Sequence, residues 1–376
     1  MKKILLVAGA RPNFMKIAPV LREMERNTHV FSAVLVHTGQ HYDQMMSTTF
    51  FKSLGIKHPD YNLEVGSGSH AVQTAGIMVK FEEVCLKEKP DWVIVVGDVN
   101  STIAAGLVAK KLNVKLAHIE AGLRSRDRRM PEEINRIATD AISDIFFTTE
   151  KEGTENLLKE GHDPSAVHFV GHVMIDNLFH QLESLSADRV SPAIVDIKKR
   201  LTSRYVCMTM HRPSNVDDEA TLTSLINAIS IIAEQAPIIF PCHPRTKKNL
   251  ERFSLMRHFS PVSAGPAPIP PGIYITEPLG YDDFLYLWKD STLVLTDSGG
   301  LQEETTALKI PCITMRETTE RPITAEIGSN VVVGSDAGKI IELGKQALAG
   351  IWKECSIPDL WDGRASGRII EALKKT

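Results

Sequence analysis

The stretch DWVIVVGDVNSTIAAGLVAKKLNVKLAHIEAGLRSRDRRMPEEINR, residues 91–136, decides the fold. Apolar runs at 92–96 and 115–119 are typical of strands, and the pattern at 102–112 between them is typical of a helix. Strand, helix and strand in this order predict a βαβ unit with two parallel strands. Asp98 and Glu120 follow the two strands directly, so we expect both at the sheet edge where α/β proteins bind ligands.

Three acidic positions therefore converge at this edge. The third is Glu132-Glu133, which follows Pro131 at the start of the next helical pattern. An Asp after a strand is often a helix N-cap, and Pro-Glu-Glu is a common helix start, so a purely structural interpretation stays open for both. Glu120 has few local backbone donors to serve, and the convergence of all three positions indicates acid–base chemistry.

Length and composition indicate a globular protein of two domains. The chain has 376 residues, of which 43% are hydrophobic and 24% charged. A formal net charge of -3 gives no basic surplus for nucleic acid or acidic lipid, so any phosphate binding must be local.

Nothing in the sequence predicts a membrane segment or a disulfide framework. Apolar runs stay below the ~18 residues of a membrane helix, and the start MKKILLVAGA is better interpreted as a first strand than as a signal peptide. The five cysteines are scattered without CxxC spacing, which predicts reduced thiols in a cytoplasm.

The first strand leads into a possible anion site. Residues 3–7 end at Gly9-Ala10-Arg11-Pro12, and a helical pattern follows at 13–26. Arg11 and Lys16 then lie at or just inside a helix N-terminus, which suits an anion. Solvated surface charge is an equally open interpretation.

The second half of the chain repeats the alternation of strand and helix. Apolar runs at 205–209, 238–240, 273–275 and 293–296 predict another doubly wound sheet, with the domain boundary at about 170–190. The prediction is an α/β protein with two doubly wound Rossmann-like domains that face a central cleft.

The sharpest signal in this half is DSGGLQEE, residues 297–304. A strand followed by Ser298, Gly299 and Gly300 predicts a helix N-terminus whose exposed backbone amides bind a pyrophosphate. Glu304 lies about one and a half turns into that helix and can reach a ribose diol. An ordinary Ser-capped helix is the structural alternative.

Seven motifs together resemble the non-hydrolysing UDP-N-acetylglucosamine 2-epimerases, in order and over essentially the whole chain. They are GARPNFMKIAP from Gly9, GD at 97–98, HIEAGLRS from His118, PEEINR from Pro131, HRP from His211, DSGGLQEE from Asp297 and TTERP at 318–322. The resemblance implies the GT-B architecture, a cytoplasmic homodimer, a UDP-sugar as substrate, and neither cofactor nor metal. It implies an N-terminal domain of residues 1–172 plus 358–376 and a UDP-binding domain of residues 173–357.

The resemblance also assigns residues. The positions that match the family's catalytic groups are Asp98, Glu120, Glu132 and His211. Those that match its substrate and UDP contacts are Arg11, Lys16, Arg136, Leu279, Phe284, Ser298, Gly299, Gly300, Glu304 and Arg321. A site for an activating second substrate molecule would match Gln40, Arg212 and His243. Departures from the family pattern include Asn13 in place of Glu and Asp43 in place of Gln.

The implied reaction is C2 epimerisation of UDP-N-acetylglucosamine. The C2 hydrogen is not next to a carbonyl, so the resemblance implies anti elimination of UDP to a 2-acetamidoglucal and re-addition of UDP. Clustered carboxylates raise one another's pKa, so one of them is expected to keep a proton, and which group is base or acid stays open. A 2-epimerase for a modified UDP-hexosamine and a GT-B glycosyltransferase are the alternatives.

Overall fold

The computed structural model describes residues 1–39, 48–201, 204–262 and 265–376. The chain forms two compact units, Met1–Gln181 with Asp359–Thr376, and Leu182–Pro358. Within the described residues each unit holds a seven-stranded sheet, and every strand pair is parallel.

The strands are β1 Lys2–Ala8, β2 Phe31–His37, β3 Tyr61–Asn62, β4 Trp92–Val96, β5 Lys115–Ile119, β6 Ile145–Thr148, β7 Val167–Phe169, β8 Val206–Thr209, β9 Pro237–Pro241, β10 Phe259–Pro261, β11 Gly272–Thr276, β12 Leu293–Thr296, β13 Cys312–Thr314 and β14 Asn330–Val332. The helices are α1 Arg11–Arg26, α2 Thr48–Ser53, α3 His70–Glu88, α4 Asn100–Lys111, α5 Pro131–Ile142, α6 Lys151–Lys159, α7 Val173–Ser184, α8 Pro192–Arg200, α9 Pro213–Val216, α10 Glu219–Ala233, α11 Pro244–Arg252, α12 Tyr281–Trp288, α13 Gly299–Ala307, α14 Pro322–Glu326, α15 Ala337–Leu348 and α16 Ala365–Lys375. Among the described residues, no helix combines the length and the apolar character that a bilayer crossing demands.

Strand order places a switch point in each sheet. The first sheet runs β3-β2-β1-β4-β5-β6-β7 and the second runs β10-β11-β9-β8-β12-β13-β14. The chain reverses direction across the sheet between β1 and β4 in the first unit and between β8 and β12 in the second. Ligands of doubly wound sheets bind at the carboxyl ends of the strands beside such a reversal. The loops after these four strands are therefore the places to look for a site.

Each unit has a cluster of buried apolar side chains packed against its sheet. β4 is buried along its whole length, which is why it has no polar alternation. In the first unit Phe14 of α1 and Leu373 of α16 are fully buried in one cluster. In the second unit Ile229 of α10 and Phe240 of β9 are fully buried in another. Each unit thus has its own hydrophobic core.

The patterns described above do not predict helix α3. The apolar residues of α3 lie on two faces of the helix. Ile77 and Phe81 are buried, whereas Val72, Val79 and Leu86 are exposed at 67%, 63% and 57%. A helix with apolar residues on both sides lacks the one-sided stripe that identifies an amphipathic helix.

The chain returns to the first unit near its C-terminus, at a close backbone contact. Gly171 has φ +88°, and a Cβ at this position would lie 2.1 Å from the carbonyl oxygen of Leu360. The buried carboxylate of Asp176 accepts hydrogen bonds from the backbone of Ala365 at 3.0 Å and Ser366 at 2.7 Å, which fixes the start of α16. Helix α16 then packs on α1.

We predict that Gly171→Ala destabilises the first unit more than Gly161→Ala does. Gly161 is the matched control because its φ is +91° and a Cβ there would meet nothing within 4 Å. Both variants pay roughly 1–2 kcal/mol for a side chain at positive φ. Only Gly171→Ala adds a clash with fixed backbone, which costs a further ~1–3 kcal/mol. Urea midpoints of the two variants measure the difference, and equal midpoints would contradict the close contact.

Candidate functional site

The candidate site of the first unit lies where β1, β4 and β5 end. Glu120, directly after β5, is 3% exposed and has φ +66°, an unusual conformation for a residue with a side chain. Its carboxylate forms an ion pair with the ammonium group of Lys16 on α1. The backbone strain at Glu120 therefore accompanies a carboxylate fixed at the ligand edge of the sheet.

Gly97 makes room for this carboxylate. A Cβ at Gly97 would lie 3.3 Å from Glu120 Oε2 and 3.5 Å from Lys16 Nζ, and the residue has φ +68°. Only glycine combines this conformation with so small a volume at low cost. The Glu120 carboxylate consequently lies against the residue that precedes Asp98, as the sequence analysis expects for two neighbouring strand ends.

Asp98, directly after β4, also lies beside a cationic side chain. Its Oδ2 lies 2.6 Å from Nη2 of Arg136 on α5, and its side chain is 27% exposed. The side-chain amide of Asn135 donates to the carbonyl oxygen of Asp98 at 2.8 Å. Asp98 and Glu120 thus have different cationic partners, so each carboxylate has a positive charge beside it.

Of the two glutamates in the first turn of α5, Glu133 points inward. It is 1% exposed and accepts hydrogen bonds from the backbone N–H groups of Ser125 at 2.9 Å and Arg126 at 3.0 Å, while Arg136 lies 3.1 Å away. Burial alone would raise the pKa of Glu133, but these hydrogen bonds outweigh it and lower that pKa. Glu132 is exposed at the same helix start.

A network of buried polar side chains connects these loops. The sequence patterns do not predict it. His118 is 0% exposed, and its Nε2 lies 2.8 Å from the carbonyl oxygen of Gly97 while its Nδ1 lies 2.6 Å from Asp140 Oδ1. Asp140 Oδ2 accepts from the backbone of Gly122 at 3.0 Å and lies 2.8 Å from Arg124 Nη1. Both ring nitrogens of His118 therefore face oxygen atoms, which fixes the orientation of the ring.

The ionised state of Asp140 follows from the same contacts. Burial would raise its pKa, but the charge and hydrogen bond of His118, together with Arg124, lower that pKa. A buried carboxylate between two cations is the arrangement that makes burial of charge tolerable. His118 and Asp140 are 22 residues apart in the sequence, and this spacing does not indicate that they are in contact.

Arg11 and Asn13 occupy the start of α1. The Arg11 guanidinium lies over the ring of Phe50, with Cζ 5.2 Å from the ring centroid. Asn13 is 3% exposed, accepts from the backbone of Ala10 at 3.0 Å and donates to the carbonyl oxygen of Val96 at 3.3 Å. Asn13, a departure from the family pattern, therefore ties the helix start to the end of β4.

The candidate site of the second unit lies where β8 and β12 end. Buried Asp297 accepts from the backbone N–H groups of His211 and Arg212, each at 2.8 Å, and its Oδ1 lies 2.9 Å from His211 Nδ1. Burial alone would raise the pKa of Asp297, but His211 and the Arg212 backbone lower it. Asp297 therefore orients the His211 ring, a role that the sequence analysis does not assign.

Helix α13 begins with an open turn. Ser298 is the N-cap residue, and its side chain makes no capping hydrogen bond. Gly299 and Gly300 follow as the first two helical residues, and both are half-buried. The first turn of α13 therefore has backbone amides without a side-chain cap, as an anion site requires.

Glu304 lies deeper in the same helix. It is 5% exposed and accepts a hydrogen bond of 2.6 Å from the Tyr281 hydroxyl at the start of α12. Burial raises the pKa of Glu304 to about 7. Leu279 precedes α12 and Phe284 lies in it, and both are half-buried. The residues assigned to a nucleoside thus gather around α12 and α13.

The remaining predicted residues are distributed as follows. Arg321, 8% exposed, forms an ion pair with Glu303 of α13. The exposed His243 has its ring centroid 6.0 Å from that of His211, and its pKa is lowered by partial burial and by His211. Gln40 lies outside the described residues. Within the described part of the chain, no group of three His, Cys, Asp or Glu side chains is arranged to hold a metal ion.

Known proteins resemble this chain over nearly its whole length. A family model described as UDP-N-acetylglucosamine 2-epimerase matches residues 22–374. The UDP-N-acetylglucosamine 2-epimerase of Methanococcus maripaludis is 43% identical over 351 residues, which are 93% of this chain and 92% of the relative. The UDP-2,3-diacetamido-2,3-dideoxy-D-glucuronate 2-epimerase of Pseudomonas aeruginosa is 40% identical over 380 residues, 99% of each chain.

A solved structure agrees with these relatives. The crystal structure of the Methanocaldococcus jannaschii UDP-GlcNAc 2-epimerase in complex with UDP-GlcNAc and UDP matches with a TM-score of 0.80 at 39% identity and covers 100% of both chains. The family and the fold class predicted from the sequence are both confirmed. The chain belongs to the UDP-N-acetylglucosamine 2-epimerase family and is an isomerase.

Proposed function

We propose that this enzyme interconverts UDP-N-acetylglucosamine and UDP-N-acetylmannosamine by anti elimination of UDP to a 2-acetamidoglucal and re-addition of UDP. The observation that carries the proposal is the pair of strand-end carboxylates, Asp98 and Glu120, each beside a cation at the carboxyl edge of the first sheet. The match to a relative in complex with UDP-GlcNAc and UDP supports the choice of substrate.

The second unit is proposed to hold the nucleotide. The amides at Ser298 to Gly300 and the guanidinium of Arg321 would bind the diphosphate, and Glu304 would accept hydrogen bonds from the ribose hydroxyls. Leu279 and Phe284 would flank the uracil. Negative charge grows on the diphosphate as the bond from C1 to oxygen breaks, so donors fixed beforehand lower the barrier. His211, oriented by Asp297, can donate to the same leaving group.

The first unit is proposed to supply the acid–base groups. A base must remove the C2 hydrogen, and a proton must return to C2 on the opposite face. Glu120 lies beside Lys16 and Asp98 lies beside Arg136, so both carboxylates are held at the sheet edge and are candidates for the base. Glu132, exposed at the start of α5, and His211 are the other candidates for proton transfer.

A modified UDP-hexosamine is the second candidate substrate. The Pseudomonas aeruginosa relative, whose name specifies a diacetamido glucuronate, is nearly as similar as the Methanococcus one. The loop between β5 and α5 in this chain contains Arg126, Arg128 and Arg129, of which Arg129 pairs with Asp127. Such a loop carries a surplus of positive charge beside Glu132, which favours a substrate with a carboxylate.

We propose that the enzyme is a homodimer that acts in the cytoplasm. All five cysteines are free, as expected of a reducing compartment. Val72, Val79 and Leu86 recur every seven residues on the exposed face of α3, and two copies of such a helix can cover each other. A second copy of this chain is the partner that a self-complementary stripe fits.

In deuterated water, the enzyme is expected to place deuterium at C2 of intact UDP-N-acetylhexosamine. Glu120→Gln should slow this exchange by roughly 10²–10⁴-fold, because it removes a group that transfers the proton. NMR of C2 measures the exchange. Glu155→Gln, an exposed carboxylate of α6 paired with Lys159, is the control and should exchange at the wild-type rate. Free sugar without label in the nucleotide sugar would instead indicate hydrolysis, and no exchange at all would contradict an epimerase.

The two candidate substrates are separated by turnover. We measure kcat/KM for both substrates under the same conditions. We expect the value for UDP-N-acetylglucosamine to be higher than the value for UDP-2,3-diacetamido-2,3-dideoxy-glucuronate. If the glucuronate is preferred, Arg128→Gln should weaken that preference by about tenfold, because it removes a cation from the loop. A glucuronate preference that survives this substitution would argue against the arginine loop as its source.

The dimer is tested at α3. Val79→Lys should reduce the mass in solution from two chains to one, because a charge in an apolar interface is costly. Light scattering after size exclusion measures the mass. Leu158→Lys is the control, since Leu158 is also exposed, at 42%, but lies on α6. A monomeric wild type, or a Val79→Lys variant that remains dimeric, would contradict this assignment of the interface.

A further inference from the structure

Arg316 follows β13, one strand away from the start of α13. Its side chain is 15% exposed, and its Nη1 atom is buried without a hydrogen-bond partner among the described residues. A Cβ at Gly299 would lie 3.7 Å from that same Nη1. The guanidinium therefore lies beside the first turn of α13 with one donor unused, and a buried donor without an acceptor is costly.

Glu320 holds the other end of this guanidinium. Its Oε1 lies 3.2 Å from Arg316 Nη2, and its Oε2 would lie 4.0 Å from a Cβ at Gly299. The Glu320 side chain is 49% exposed. A carboxylate thus occupies the neighbourhood of the α13 amides, where the proposed function places a diphosphate.

The two arginines near α13 differ in how firmly they are held. Arg321 pairs with Glu303, whose side chain is 8% exposed, so both partners are buried. Arg316 pairs with a half-exposed glutamate only four residues away along a loop. Ion pairs that are open to solvent are weak, so a stronger anion can displace Glu320 with little loss.

We propose that Arg316 is a further diphosphate-binding residue and that Glu320 is an internal anion which the diphosphate displaces from it. The inference rests on the proposed function, because it assumes that α13 binds the diphosphate of a UDP-sugar. A phosphate gives the unused Nη1 an acceptor, and the planar guanidinium suits two phosphate oxygens at once. Repulsion between the bound anion and the carboxylate then moves Glu320 outward. Gly299 leaves the space that this approach needs.

The test is calorimetric binding of UDP, UMP and uridine to the full-length chain. Arg316→Gln should weaken UDP binding by about tenfold and leave uridine binding unchanged, because only the phosphates lose a partner. Arg316→Lys should recover part of the loss, since it restores the charge but not the planar pair of donors.

Glu320→Gln should act in the opposite direction. Removal of the internal anion should tighten UDP binding about threefold, and this gain should vanish when Arg316→Gln is also present. Glu326→Gln, an exposed acid on α14, is the matched control and should bind UDP as the wild type does.

The outcomes separate the inference from the proposed function. Unchanged UDP binding in Arg316→Gln, or an equal loss for UDP and uridine, overturns the inference and leaves the proposed function intact. A wild type that does not bind UDP overturns the proposed function itself. If Arg316→Gln fails to fold, Glu320→Gln decides alone: tighter UDP binding supports displacement, and unchanged or weaker binding refutes it.

Discussion

A buried carboxylate that joins neighbouring strand ends is the constraint on which the candidate site of each unit depends. Asp140 connects the loop after β5 to α5 and, through His118, reaches the loop after β4. Asp297 follows β12 and accepts from the backbone of the loop after β8. In each unit the joined loops carry the proposed functional side chains. Because an unpaired buried charge is prohibitively costly, each carboxylate requires its partners in place, and the loops are fixed accordingly.

The same principle extends to the side chains that face the ligand edge. Glu120 pairs with Lys16, and Asp98 pairs with Arg136, so these two carboxylates have different cationic partners. Arg136 also contacts Glu133, whose backbone contacts shape the loop between β5 and α5. If these side chains act as the proposed acid–base groups, they need little rearrangement when substrate binds, which is the physical basis of preorganised catalysis.

The sequence predicts those parts of the structure that local pattern controls. Apolar runs locate β4 and β5, and the chain order of strands and helices places Asp98 and Glu120 at one edge. Local pattern does not distinguish Glu132 from Glu133, because the burial of Glu133 depends on a loop that folds back onto it. Local pattern does not predict α3, because the exposed face of that helix is also apolar. It does not identify His118 and Asp140, because they are distant from each other in the sequence. It does not identify Arg316 either, because that residue stands out only by a buried donor without an acceptor. Long-range electrostatic pairing has no local signature.

Charge pairing also bears on which side chain acts as acid and which as base in the proposed reaction. The sequence leaves open which carboxylate acts as base and which as acid, and the structure gives Asp98 and Glu120 separate cations. The two carboxylates therefore differ in their surroundings although they follow neighbouring strands of one sheet. An elimination followed by re-addition needs an acid and a base on opposite faces of one carbon. Different electrostatic surroundings for similar side chains are the means by which a protein assigns those two roles.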